Sequence, residues 1–161
     1  MSAPWTVDAQ GPEETLELGR RLGQCVQAGD VLALVGELGS GKTHLVKGLA
    51  EGLGAATSRE VTSPTFILCR EYLEGRIPFY HFDAYRLRGA PDLEAIGSDE
   101  FLGGDGASAV EWADRVSEAI PADHLEIRLE VAGETVRRLT FIAHGARGEQ
   151  LMQAMRGAGP R

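Results

Sequence analysis

The eight residues Gly36-Glu37-Leu38-Gly39-Ser40-Gly41-Lys42-Thr43 constrain this chain more than any other stretch, because they match the phosphate-binding pattern G-x-x-x-x-G-K-[ST] at every fixed position. Glycines let successive backbone N–H groups turn inward around an anion, where a Cβ would clash or forbid the dihedrals. Lysine in the seventh slot reaches β- and γ-phosphate oxygens, and the Thr43 hydroxyl can ligate Mg²⁺. A helix after the loop points the positive end of its dipole at the same anion. The flanks supply the required order. Residues 30–35 are a short apolar run read as a buried strand. Beyond the loop, Leu45, Leu49 and Leu53 recur at helical spacing, and Gly52 and Gly54 supply a stop. The chain has two lysines, Lys42 and Lys47, against fourteen arginines, so abundance does not explain a lysine in this slot.

With 161 residues the chain reads as one domain, residues 1–161, with a core over about 12–145 and a C-terminal helix over about 148–155. A net charge of −8 argues against a module that binds nucleic acid by counterion release, which needs a basic face. Cys25 and Cys69 fit no metal-ligand spacing and read as two reduced core thiols. His44, His124 and His144 also lack ligand-like spacing, which speaks against a zinc site. No long apolar stretch and no basic leader followed by an apolar run occurs, so a soluble, cytoplasmic protein without membrane contact is expected.

Residues 1–11 read as a loose or extended lead-in. Pro12-Glu13-Glu14 then starts a helix running to about Gln27, with Thr15, Leu18, Leu22, Cys25 and Val26 on one face. Residues 66–73 and 77–83 flank Glu74-Gly75-Arg76, a hairpin signal, so these two strands are expected antiparallel and the sheet mixed. Short helical turns over 92–102 are broken by Gly97, and 107–111 is a buried strand. Leu125, Ile127, Leu129 and Val131 alternate with polar residues, as do Leu139, Phe141 and Ala143; the two runs make a second hairpin.

Hydrolysis needs carboxylates beside the phosphate loop. Asp83 and Glu111 each close an apolar strand, where an acid is costly to bury unless it meets a cation or donors. Both are therefore candidate catalytic residues and metal ligands, together with Lys42 and Thr43. His81 shares a strand face with Asp83 and reads as a packed, hydrogen-bonded histidine rather than a base. Trp112 reads either as core or as an exposed anchor for a partner.

In series, the phosphate loop, Ser63-Pro64-Thr65-Phe66, His81-Phe82-Asp83-Ala84-Tyr85-Arg86-Leu87 and Glu111-Trp112 resemble the TsaE (YjeE) family, small bacterial ATPases required for tRNA threonylcarbamoyladenosine biosynthesis. The resemblance spans roughly residues 12–144. It implies an α/β P-loop NTPase fold of three layers with a mixed sheet, and weak ATP hydrolysis with Mg²⁺. It further implies support of TsaB-like and TsaD-like partner proteins; the acidic charge of the chain leads to the expectation that tRNA is contacted only indirectly. By the same resemblance Gly36, Glu37, Leu38, Gly39, Ser40, Gly41, Lys42 and Thr43 hold the phosphates, and Thr43 and Glu111 coordinate Mg²⁺. Asp83 polarises water or completes the outer metal shell. Thr65 lies near the γ-phosphate, and residues near Glu13, with Arg137 and Arg138, flank the adenine or ribose. Two positions depart from the family pattern: Ala113 where proline follows Trp112, and His44 where a smaller residue is common. Two rival functions stay open, a small kinase with Tyr85-Arg86-Leu87-Arg88-Gly89 in a lid, and a non-catalytic ATP-gated interaction module.

Overall fold

The computed structural model describes residues 2–55 and 69–157. Among them, seven strands form one sheet in the order β1-β7-β6-β2-β5-β4-β3. The strands are β1 (Trp5–Ala9), β2 (Val31–Val35), β3 (Cys69–Tyr72), β4 (Phe79–Asp83), β5 (Ala107–Glu111), β6 (His124–Val131) and β7 (Arg137–His144). The central four, β6, β2, β5 and β4, run parallel, and antiparallel strands flank them on both sides. Both expected hairpins are present: Tyr72 pairs with Phe79 and Val131 with Arg137. The sheet is mixed because tight turns return the chain antiparallel, whereas the central strands are joined by longer crossovers.

The helices are α1 (Pro12–Cys25), α2 (Lys42–Gly52), α3 (Ala90–Glu94), α4 (Ser98–Phe101) and α5 (Gly145–Gly157), with a 3-10 segment at Ala113–Ala119. Strand periodicity divides the core between the two faces of the sheet. Leu32, Leu34, Phe79, Ala109 and Ile127 pack toward α1, α2 and α5, whereas Val31, Ala33, Tyr80, Phe82 and Val110 pack with Leu93, Leu102 and Val116 on the other side. The same alternation sends His81, Asp83 and Glu111 to the α2 face.

Three elements differ from expectation. The sequence pattern shows no strand before α1, yet residues 5–9 pair with β7, Trp5 opposite Phe141 and Ala9 opposite Arg137. The ring of Trp5 lies 4.9 Å from that of Phe141. The C-terminal helix is longer at both ends, Gly145–Gly157 against 148–155. Gly148 resembles a breaker in sequence but sits inside the helix, where a Cβ would meet the His124 carbonyl oxygen. Gly52, read as a stop, closes α2 but also packs against α1. Gly19 and Gly23 of α1 face Gly48 and Gly52 of α2, and a Cβ at Gly19 would lie 2.9 Å from the Gly48 Cα. The two helices therefore touch backbone to backbone, the geometry small residues permit. That contact holds the first turn of α1 over the first turn of α2.

Buried Asp30 is matched rather than isolated. Its carboxylate receives Arg147 Nε at 2.7 Å and Nη2 at 2.8 Å, a bidentate pair that ties α5 to the start of β2. Cys25 and Cys69 are both free thiols. Burial pushes the Cys69 thiol up to about 12 and raises that of Cys25, so neither is poised as a thiolate.

Candidate nucleotide site

Leu34, Glu111 and Asp83 stand in one row across β2, β5 and β4, at the carboxyl ends of these parallel strands. Ligands bind beyond strand ends of this kind in open α/β sheets. The chain leaves β2 one residue later and enters the glycine loop. Gly41, at φ +103°, caps α2 in the left-handed conformation that a side chain would strain. The first-turn amides of α2 thus face a cavity of about 550 Å³, lined among others by Gly39, Lys42, Thr43, Asp83, Glu111 and Trp112.

Lys42 is 5% exposed. Its ammonium donates to the carbonyl oxygens of Gly36 and Glu37, the latter at 2.9 Å, and lies 4.1 Å from the centre of the Trp112 ring. Desolvation holds it below the usual lysine range, with Glu111 and Asp83 opposing. Thr43 Oγ1 lies 3.4 Å from Glu111 Oε1. The other oxygen, Oε2, accepts from His81 Nε2 at 2.5 Å. His81 is fully buried, so it is a packed and hydrogen-bonded side chain whose contact orients Glu111. Asp83 Oδ1 accepts the Tyr85 amide at 2.9 Å, which turns the chain after β4.

Trp112 follows Glu111 at φ +60°, the one non-glycine residue with positive φ among the described residues. A bulky residue held there costs on the order of 1–3 kcal/mol and persists because its surroundings over-determine it. The surroundings are Lys42 beneath the ring, Tyr85 at 4.9 Å between ring centres, and Arg115 at 5.2 Å. Trp112 is half-buried in this stack and packs against the core on the α3 side of the sheet.

Other expected residues are distributed less evenly. Ser40 is buried, with Lys42 Nζ 3.5 Å from its hydroxyl, whereas Leu38 is 70% exposed at the cavity rim. Glu13 is exposed in the first turn of α1, and its neighbours Pro12 and Thr15 line the cavity. Arg137 also lines it, donating from Nε to Gly39 O at 3.1 Å. Arg138, one residue on, projects to the opposite face and makes a two-point pair with Asp8 of β1. Ser63, Pro64 and Thr65 lie outside the described residues. Sequence reasoning missed Thr15 as a cavity residue. It is 1% exposed, and its hydroxyl has no hydrogen-bond partner among the described residues. Its signal was a hydroxyl on the otherwise apolar face of α1.

Comparisons with known proteins find similar chains. A family profile described as "Threonylcarbamoyl adenosine biosynthesis protein TsaE" matches residues 9–139. The Bacillus subtilis tRNA threonylcarbamoyladenosine biosynthesis protein TsaE is 42% identical over 144 residues, covering 89% of both chains. A protein of the same name from Streptomyces coelicolor is 44% identical over 138 residues, covering 81% of this chain and 91% of its own. The crystal structure of Bacillus subtilis YdiB superposes with a TM-score of 0.84 at 36% identity, over 99% of each chain.

Proposed function

This chain belongs to the TsaE family, and we propose that it acts in tRNA threonylcarbamoyladenosine biosynthesis as a weak, Mg²⁺-dependent ATPase supported by TsaB-like and TsaD-like partners. The observation that carries this reading is the row of strand ends that sets Asp83 and Glu111 beside Thr43 and Lys42. A glycine loop alone grips phosphate; a loop facing two carboxylates has the groups for hydrolysis.

The residues fit the ligands. The Thr43 hydroxyl and the Glu111 carboxylate are hard oxygen donors of the kind Mg²⁺ takes. These two side chains would hold the ion, which would supply neutralisation of the charge developing during phosphoryl transfer. The amides of Gly39, Ser40 and Gly41 cradle the phosphates, and Lys42 exchanges the carbonyls of Gly36 and Glu37 for phosphate oxygens. Asp83, turned by its bond to the Tyr85 amide, orients the attacking water or completes the outer shell of the metal. Thr15 and Arg137 bound the cavity from α1 and β7, and we assign Arg137 a contact with the ribose or base. Because the chain carries a net charge of −8, tRNA is engaged through the partners rather than by this chain. No helix among the described residues is long and apolar enough to cross a membrane. Its two free thiols suit a reducing compartment, and we place its work in the cytoplasm as a single unit.

Phosphate release, measured for the chain alone and with the two partner proteins, tests the reading. Hydrolysis should be slow alone, faster with partners, and absent in Lys42→Ala. No release above that control under either condition would leave a gating module, in which ATP favours one conformation by about 1–3 kcal/mol of coupling.

The lysine also sets a pH dependence. It grips phosphate as the ammonium, and burial lowers its folded-state pKa. ATP affinity should hold constant below that pKa and fall as pH rises through it, at lower pH than an ordinary lysine would produce. Fluorescence titrations across alkaline pH would show this; a Lys42→Arg variant that binds should lose the decline. A decline unchanged by that substitution would assign it to another group.

A further inference from the structure

Cross-strand pairing brings together residues that sequence spacing keeps apart. His124 of β6 stands directly opposite His144 of β7, and Glu126 follows His124 on the same strand face. Leu125, Ile127 and Leu129 fill the core beneath α1 and α2, so 124 and 126 turn to the other face of the sheet. They also sit at the start of β6, the end remote from the nucleotide cavity. One ligand atom from each of the three lies within 4.8 Å of the others.

We propose that His124, Glu126 and His144 form a binding site for a divalent transition-metal ion of the zinc class. Two imidazoles and one carboxylate are the donor set such ions take at sites that keep one position open. His124 Nδ1–H donates to the Pro121 carbonyl at 2.7 Å, which leaves Nε2 as the lone-pair atom. An imidazole anchored through one nitrogen to a backbone carbonyl is the usual support for a metal ligand. Glu126 is held from both sides: Arg128 takes Oε2, and His144 Nε2 donates to Oε1 at 2.8 Å. The ion would replace that last proton and bind between the two atoms. Tetrahedral coordination with bonds of about 2.0–2.2 Å puts ligand atoms roughly 3.4 Å apart, so His144 Nε2 and Glu126 Oε1, now at 2.8 Å, must part slightly while the widest pair, within 4.8 Å, closes by up to about 1.4 Å. The His144 side chain is 36% exposed and has room to turn. A cavity of about 350 Å³, lined also by Asp114, Ser117 and Ile120, opens on the group and admits a fourth ligand. Mg²⁺, which prefers oxygen donors in octahedral array, does not suit the site.

The test is Zn²⁺ uptake by the full chain after chelator treatment, followed by equilibrium dialysis and elemental analysis in excess Mg²⁺. One equivalent should bind and raise the melting temperature. His124→Gln and His144→Gln should each weaken binding by more than about 100-fold, beyond the loss typical of supporting residues. A Cys25→Ser/Cys69→Ser variant should bind as the parent does. The Co²⁺ spectrum of the unaltered chain reads the ligand set without substitution, and should show d–d bands with no thiolate charge-transfer band. Absence of uptake, uptake indifferent to both histidine substitutions, or uptake lost with the cysteines would each overturn the proposal.

Discussion

Glu111→Gln is expected to lower ATP turnover by about 10²–10⁴-fold, the range for a positioned acid–base group, while changing nucleotide binding by only severalfold. What the amide keeps and what it loses decide the effect. It keeps the volume of a side chain 3% exposed at the end of β5. An amide oxygen can still accept from His81 Nε2, so the pair does not come apart. Lost is the negative charge facing Thr43 Oγ1, which a metal or a developing proton requires. Lys42 and the amides of the loop are untouched, so the phosphates still have their principal donors. Glu111→Ala is the harsher change, because it strips the His81 Nε2–H of its acceptor in a fully buried site and adds a stability loss of about 1–3 kcal/mol. Single-turnover phosphate release against a nucleotide-binding titration separates the two effects. Unchanged turnover in Glu111→Gln would remove this residue from the chemistry.

The second large effect is predicted far from any reacting atom. Gly48→Ala would gain about 1 kcal/mol of helix propensity if α2 stood alone. In the fold, its Cβ would lie inside the carbonyl oxygen of Leu16 and within 3.0 Å of the Arg20 nitrogen. Those atoms are helix backbone and cannot swing aside, so α1 must move. A backbone oxygen 2.0 Å from the new carbon puts this overpacking at the upper end of its usual range, about 3 kcal/mol, and less the propensity gain we expect a net loss of about 2 kcal/mol in urea unfolding. Nucleotide affinity should fall as well, because α1 carries Pro12 and Thr15 into the cavity wall. Gly157→Ala is the control: nothing lies within 4 Å of a Cβ there, and its effect should stay within about 0.5 kcal/mol. Equal stability of the two variants would contradict the backbone contact between α1 and α2.

These cases show where the sequence is legible and where it is not. The strand, loop and helix around Gly36–Thr43 could be read because every signal is local: an apolar run, glycines at fixed spacing, leucines at helical intervals. Asp83 and Glu111 could be singled out because an acid ending an apolar strand is costly without a partner. The row that joins them was not legible, since it depends on β4 and β5 pairing in parallel register. Arg137 and Arg138 show the same limit at one-residue scale. Strand alternation sends one to the cavity and the other to Asp8, and composition cannot say which. Gly48 looks like a weak helix residue until α1 is laid against it. His124 and His144 look unrelated until β6 meets β7. Trp112 carried a signal in its place after Glu111, but its left-handed backbone carried none, because tryptophan is not a residue that conformation selects.

The pairing of β1 with β7 has a consequence for the order in which the molecule is assembled. Trp5 and Phe141 are neighbours in the sheet, though nearly the whole chain separates them. During synthesis β1 therefore emerges before the strand it pairs with. At about 5–20 residues per second its mate follows on the order of ten seconds later. β1 can join the sheet only after β7 has been made and offers it an edge. Until then Trp5 and Val7 have no surface of their own to cover them. Completing this edge of the sheet therefore waits on the β6–β7 hairpin, however early β1 itself is made.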